Sequence, residues 1–287
     1  MGEAEIGIIG GTGLYHPGDI EDAREVALDT PFGAPSAPFV VGRWRGRKVA
    51  FLARHGKGHV LMPTEINYRA NIYGFKLLGV SRLVSASAVG SLREDIHPMD
   101  VVLPDQFFDR TRQRPQTFFG GGIVAHVSMA DPTCGELREA LARSCDEEGV
   151  TPRLGGCYVC IEGPQFSTRA ESEHFRRMGA SVIGMTNLPE ARLAREAEIC
   201  YATVALVTDY DVWHVSEEPV SVEAVLGYLR RNAATARKLV ARTIASLPAA
   251  RSCPCATALH SAIITDPGAI TREARQRLKA VVGAYLP

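Results

Sequence analysis

The first residues able to do chemistry lie where a β-branched run, Ile6-Gly7-Ile8-Ile9, empties into Gly10-Gly11-Thr12-Gly13. Glycine lets successive backbone N–H groups crowd an anion, and Thr12 adds a hydroxyl. A dinucleotide loop would need a third glycine where His16 stands, and Pro17-Gly18 breaks any helix starting there. A P-loop would need a Gly-Lys pair, and no lysine is near. What remains is a seat for a small anion or a purely structural tight turn. Further on, "LARHG" sets Arg54 and His55 at the end of a second strand-like run, and "SASAVGS" ends a third on Ser87 and Ala88. Strand ends on one side of an α/β sheet gather at a common crevice. A guanidinium, an imidazole, the hydroxyls of Thr12 and Ser87 and nearby backbone N–H groups can therefore converge on one tetrahedral anion. A fourth run, "CYATVALVTDYD", empties into an acidic turn holding Thr208, Asp209 and Asp211. A carboxyl buried beside another has one pKa raised, which makes its proton-carrying form accessible near neutrality.

These groups need a scaffold. "EIGIIG", "APFVVGRW", "RKVAFLA", "SRLVSASAV", "DVVLPDQFF", "CYVCIEG", "SVIGM" and "CYATVALVTDYD" read as strands. "TEINYRANIYGFKLLG" has apolar residues at helical spacing and stops on Gly79. "STRAESEHFRRMG", with Ser167 or Thr168 as N-cap, "LPEARLAREA" and the long amphipathic "SVEAVLGYLRRNAATARKLVARTIASL" read as further helices. Strands alternating with helices give an α/β fold around a central sheet. No repeat, linker or composition shift divides residues 1–287, so one domain is expected, with a loop and last helix over about 248–287 as an extension.

Thirty-two basic residues balance thirty-two acidic ones, which argues against a nucleic-acid or membrane partner held by net charge. No apolar stretch reaches the roughly 20 residues of a membrane span, and the chain opens on its first strand without an export segment. A cytoplasmic protein is expected. The seven cysteines form no zinc-like pattern. Cys157 and Cys160 read as buried thiols on a strand, whereas Cys253-Pro-Cys255 sits in a turn and can be oxidised.

The stretch 53–92 resembles the signature of the purine nucleoside phosphorylase and methylthioadenosine phosphorylase family, through the G-x-x-H of Gly56–His59, the spacing to Asn67 and the Ser-Ala-x-Gly-Ser-Leu ending. "IEGPQFSTRAES", "GMTNLPEA" and "VTDYDVW" are similar to three further family segments, and the resemblance spans roughly residues 4–246. It implies a single-domain α/β fold of the nucleoside phosphorylase type, a central mixed β-sheet flanked by helices. It also implies a phosphate site of Thr12, Arg54, His55, Ser87, Ala88 and Thr186, and a nucleoside site of Phe166, Ile183, Met185 and Thr208. Phe166 would pack on a purine, and Met185 would lie beside the ribose. Inorganic phosphate is then a co-substrate, with no metal or organic cofactor implied.

The family's branches differ at the base. Thr-Asp-x-Asp, as at Thr208–Asp211, matches the methylthioadenosine branch, whereas relatives that take 6-oxopurines usually carry an asparagine there. The chemistry agrees, because a carboxylate accepts from the adenine amino group and a carboxylic acid donates to N7, while a 6-oxo group would face carboxylate oxygen. Asp209 and Asp211 are thus the expected catalytic pair. Val222, Val225 and Leu226 lie at helical spacing, on a face that is either core or, by the resemblance, the seat of a 5′-methylthio group. His126 aligns with a histidine that closes this pocket from an adjacent subunit, and equally reads as a solvated loop residue. A homotrimer, or a dimer of trimers, follows from the family alone. Expected chemistry is phosphorolysis of 5′-methylthioadenosine. The alternatives are a phosphorylase of 6-oxopurine nucleosides or adenosine, a water-using nucleosidase, and a silent nucleoside-binding protein. Trp44 and Trp213 read as core or interface. Arg110 and Arg114, in "FFDRTRQRPQTFF", read as framework or a subunit contact.

Overall fold

The computed structural model describes residues 2–11, 14, 17–214 and 222–286, without the side chains of 17, 222–226, 229 and 230. Strands β1 (Ile6–Gly10), β2 (Glu21–Val26), β3 (Phe39–Trp44) and β4 (Arg47–Ala53) precede helix α1 (Tyr68–Leu78). Then come β5 (Arg82–Ser91), β6 (Val101–Leu103), β7 (Gln106–Arg110), α2 (Gly135–Glu147), β8 (Arg153–Leu154), β9 (Cys157–Ile161) and α3 (Arg169–Arg177). The chain continues through β10 (Val182–Gly184), α4 (Asn187–Glu196), β11 (Cys200–Asp209) and α5 (Val222–Ser246), and ends with α6 (Arg272–Arg277) and α7 (Lys279–Val282).

The expected single mixed sheet is present, with eleven strands. Strand β5 is its hub. It runs parallel to β1 over Arg82–Ser85 and parallel to β11 along its other edge. Beyond Ser85 the first edge passes to β10, which pairs antiparallel with Gly90 and Ser91. Residues 86–89 therefore have no strand partner on that edge among the described residues, and the sheet splays open there. Period-two alternation separates the core into two layers. Ile9, Leu83, Ala205 and Val207 pack with α1, α4 and α7, whereas Ile8, Val84, Val204 and Leu206 pack with α2 and α5 on the other face.

Local chemistry explains the helix ends. Asn67 caps α1 by accepting from Ala70 N–H, and Gly79 closes it at φ 91°. Thr168, not Ser167, caps α3, in a reciprocal box with Glu171. Three expectations change. "DVVLPDQFF" is not one strand, since Pro104 and Asp105 separate β6 from β7, which pair with different neighbours. Helix α2 and strand β2 went unread in the sequence, and the last helix is two short ones, α6 and α7. Trp44 and Trp213 are core, with Trp213 Nε1 donating to Ser91 O at 2.8 Å.

Glu196, at the end of α4, is buried and accepts from Thr117 Oγ1 at 2.6 Å and Phe118 N–H at 2.8 Å. Burial pushes its carboxyl up to about 7, against the pull of those two donors. A raised acid holds more protons in the folded than the unfolded state, so its contribution is full below the unfolded value and fades as pH rises through about 7. At roughly 1.4 kcal/mol per pKa unit this amounts to a few kcal/mol. Glu196→Gln keeps an acceptor for Phe118 N–H, so melting curves of the variant should lose part of the stability decline between mildly acidic and alkaline pH. An unchanged slope would mean Glu196 is ionised throughout.

Candidate active site

The splayed edge of β5 opens into a cavity of about 460 Å³. Arg54, His55, Ser87, Ala88, Phe166, Ile183, Met185, Thr186, Thr208, Asp209 and Asp211 all line it, together with Gly11. Residues from the turn after β4, from β5, the β9–α3 loop, β10 and β11, more than 150 positions apart in the chain, thus meet at one crevice. Thr12 and the side chains of Val222, Val225 and Leu226 lie outside the described residues. His126 is exposed and does not line the cavity; its backbone N–H donates to Ala262 O at 2.9 Å in the C-terminal segment.

Ser87 anchors one end of the crevice. Its Oγ lies 3.1 Å from both Thr186 Oγ1 and Tyr158 Oη, so three hydroxyls form a cluster able to reorient their protons around an incoming oxyanion. Tyr158 is the member that the sequence did not reveal. It is fully buried on β9 and fills the space in front of Gly184, where an added Cβ would meet its hydroxyl oxygen at 2.0 Å. That explains glycine at 184. Gly184→Ala should cost about 1–3 kcal/mol and roughly 10–100-fold in turnover by displacing the hydroxyl cluster. Adding Tyr158→Phe should restore the melting temperature; failure to do so would place the strain elsewhere.

Arg54 is almost wholly buried, and its charge is already answered. Nε donates to Glu190 Oε2 at 2.8 Å and Nη2 to Oε1 at 3.0 Å, a bidentate pair. Nη2 also donates to Ser85 Oγ at 2.7 Å, and Nη1 to Ala86 O at 2.9 Å. Burial works against the guanidinium charge, yet the Glu190 carboxylate more than offsets it and holds Arg54 above the ordinary arginine range. Of five N–H groups, one on Nη1 has no partner among the described residues and is placed for a ligand. Glu190 lies in the "GMTNLPEA" segment, but its pairing across 136 positions was not legible there.

His55 differs from a cationic anion holder. Burial, with the charge of Arg54 adding to it, lowers the ring to about 4, and the Leu61 carbonyl only partly opposes this. Nδ1 lies 2.9 Å from Leu61 O, which can only accept, so Nδ1 carries the proton and Nε2 is an acceptor. A neutral ring of this tautomer accepts a hydrogen bond from a phosphate or sugar hydroxyl instead of supplying charge.

At the opposite end, Asp209 Oδ2 accepts from Thr208 Oγ1 at 2.6 Å and Oδ1 from Asp211 N–H at 2.8 Å. A Cβ on Gly90 would stand 2.8 Å from Asp209 Oδ1, so glycine there admits the carboxylate. Burial pushes both carboxyls above the ordinary aspartate range. Burial is the larger cause for Asp209 and repulsion from Asp211 the smaller. Arg114 proves to be internal framework, since Nη1 holds Met185 O and Leu188 O, each at 2.7 Å, and Nη2 holds Glu162 O at 2.7 Å. It therefore positions Met185 at the cavity wall. Arg110 is exposed.

Comparison with known proteins fits this geometry. Residues 5–245 match the phosphorylase superfamily. An S-methyl-5'-thioadenosine phosphorylase of Koribacter versatilis is 55% identical over 283 residues, covering 99% of this chain and 97% of its own, so the match runs through the C-terminal segment. The crystal structure of a methylthioadenosine phosphorylase from an Antarctic soil metagenomic library superposes with a TM-score of 0.93 at 49% identity, covering 98% of this chain and 99% of that one. A methylthioadenosine phosphorylase from Schistosoma mansoni, in complex with adenine, gives a TM-score of 0.82 at 36% identity over 86% of this chain and 93% of that one. The chain belongs to the phosphorylase superfamily and, within it, to the family of the methylthioadenosine phosphorylases.

Proposed function

We propose that the protein is a pentosyltransferase that splits 5′-methylthioadenosine with inorganic phosphate, giving adenine and 5-methylthioribose 1-phosphate. One observation carries the reading: the half-buried carboxyl of Asp209 and the buried one of Asp211 share a cavity with the Ser87–Thr186 hydroxyls and Arg54. Phosphate sits against Ser87, the Ala88 N–H, Thr186 and the free Nη1–H of Arg54, with Thr12 adding its hydroxyl. His55 Nε2 accepts a hydrogen bond from a phosphate hydroxyl and so selects its orientation. Adenine lies at the other end, its amino group facing a carboxylate and its N7 facing protonated Asp209, with Asp211 and Thr208 holding that acid in place. Phe166 covers the base, and Ile183 and Met185 line the ribose.

Cleavage of the N-glycosidic bond leaves positive charge on the sugar and negative charge on the purine. Asp209 donates its proton to N7 as the base departs. Phosphate below C1′ offsets the cation, and one of its oxygens then bonds to C1′ with inversion. Preorganised charge and positioning carry the rate, and no step calls for a metal or organic cofactor. Val222, Val225 and Leu226 form the apolar seat of the methylthio group, and a 5′-hydroxyl left unpaired there costs roughly 1–3 kcal/mol. The active assembly is a homotrimer, or a dimer of trimers, in which His126 reaches a neighbouring subunit's pocket. The setting is cytoplasmic purine and methionine salvage. Among the described residues no helix is long and apolar enough to cross a membrane.

Turnover of methylthioadenosine, adenosine and inosine, compared at saturating phosphate, tests the base and 5′ assignments. Methylthioadenosine should lead in kcat/KM, with inosine lowest. Preference for inosine would move the protein to the 6-oxopurine branch.

A further inference from the structure

Away from the active cavity, four of the seven cysteines meet. The Sγ atoms of Cys134, Cys200, Cys253 and Cys255 all lie within 4.8 Å of one another. Three separate stretches supply them: the N-terminus of α2, the first residue of β11, and the turn after α5. Rigid backbone fixes the first two. Cys134 N–H donates to Tyr201 O at 2.7 Å, and Cys200 N–H to Ser81 O at 3.0 Å. Cys134, Cys200 and Cys255 are buried, whereas Cys253 is half-buried and leaves a path to solvent.

We propose that these four sulfurs form a structural tetrathiolate site for a zinc ion. A tetrahedral centre with bonds of about 2.3 Å places its ligands about 3.8 Å apart, so the widest pairs close by no more than about 1 Å, while Cys200 Sγ and Cys253 Sγ, 3.2 Å apart, open slightly. Two guanidiniums sit beside them: Arg195 Nη1 is 3.6 Å from Cys255 Sγ, and Arg251 Nη1 is 3.8 Å from Cys200 Sγ. Four thiols binding Zn²⁺ release four protons to solvent and leave a complex of charge −2. The two arginines lie where they offset that charge. None of the four lines the active cavity, so the ion has no part in the reaction.

Its place in the fold gives it a task. Cys253 and Cys255 begin the C-terminal segment, which then pairs with the His126 loop through the Ala125–Ile263 bridge and packs α7 on α1. Arg251 ties the same turn to Ser81 O at 3.1 Å and Glu198 O at 2.7 Å. A metal here pins the segment's first turn to the sheet edge, joining residues that are 66 and 53 positions apart (134 to 200, 200 to 253). The cysteine spacing gives no sign of this, because only Cys253 and Cys255 are near each other in the chain.

Elemental analysis of the full-length protein, purified under reducing conditions and passed through gel filtration, should find about one zinc per chain. Cobalt exchanged into the site should show the thiolate charge-transfer and tetrahedral d–d bands. Cys253→Ser, at the half-buried ligand, should hold zinc against a chelator roughly 100-fold less well, with a lower melting temperature and kcat/KM for methylthioadenosine retained at low temperature. Stripping the wild-type metal should lower the melting temperature likewise, which keeps the test independent of whether any variant folds. Reduced protein that neither carries zinc nor takes up a stoichiometric amount would overturn the site, as would isolation of the four residues as disulfides in a protein that binds no zinc after reduction.

Discussion

Asp209→Ala is expected to lower kcat/KM for methylthioadenosine by about 10³-fold while leaving the protein folded. The carboxyl contributes little to the fold, since Thr208 Oγ1 keeps a second acceptor in Val89 O at 3.2 Å. What disappears is the proton aimed at the departing base. Because burial raises this carboxyl, its protonated form is more abundant near neutrality than that of an ordinary aspartate. Rate should therefore fall as pH rises through its pKa, and Asp209→Asn should abolish that alkaline limb while preserving shape. Steady-state kinetics across pH with both variants decides the matter. An alanine variant within a few-fold of wild type would remove Asp209 from the mechanism.

Arg54→Ala should be nearly as damaging, for two separable reasons. The Glu190 side chain is 0% exposed, and removing Arg54 strands its carboxylate with Tyr201 Oη, at 2.8 Å, as its one side-chain donor among the described residues. Breaking a buried pair on one side costs about 3–5 kcal/mol. Phosphate also loses the remaining Nη1–H, which should raise its KM by roughly 10–100-fold. Arg54→Met combined with Glu190→Leu separates the effects, because replacing both charges by apolar groups of similar volume is often neutral. The double variant should melt close to wild type and still bind phosphate weakly. Recovery of the normal phosphate KM would leave Arg54 with a purely structural role.

Much of the site was legible because Arg54 and Asp209 sit at strand ends, where sequence periodicity and turn chemistry coincide, whereas Ser87 lies within β5 and reaches the cavity through the splayed edge. Arg54, Ser87 and Asp209 each follow a run of apolar residues, and parallel strands deliver their C-terminal ends to one crevice. Partners across the sheet were not legible. The Arg54–Glu190 pair and the hydroxyl of Tyr158 depend on which strands become neighbours, and local spacing carries no record of that. Helix α2 was missed for a local reason: its cap position is Cys134, which makes no side-chain bond, so the usual start signal is absent. His55 was read as a phosphate ligand without its charge state, which only its burial and the Leu61 carbonyl determine.

In the proposed reaction an inorganic oxyanion, not water, takes the sugar. Adenine release from methylthioadenosine, followed alongside phosphate consumption in phosphate-free and phosphate-containing buffer, tests it most directly. One phosphate should vanish for each adenine formed, with negligible release when phosphate is withheld. Equal adenine release in both buffers, with phosphate untouched, would contradict it and identify water as the acceptor.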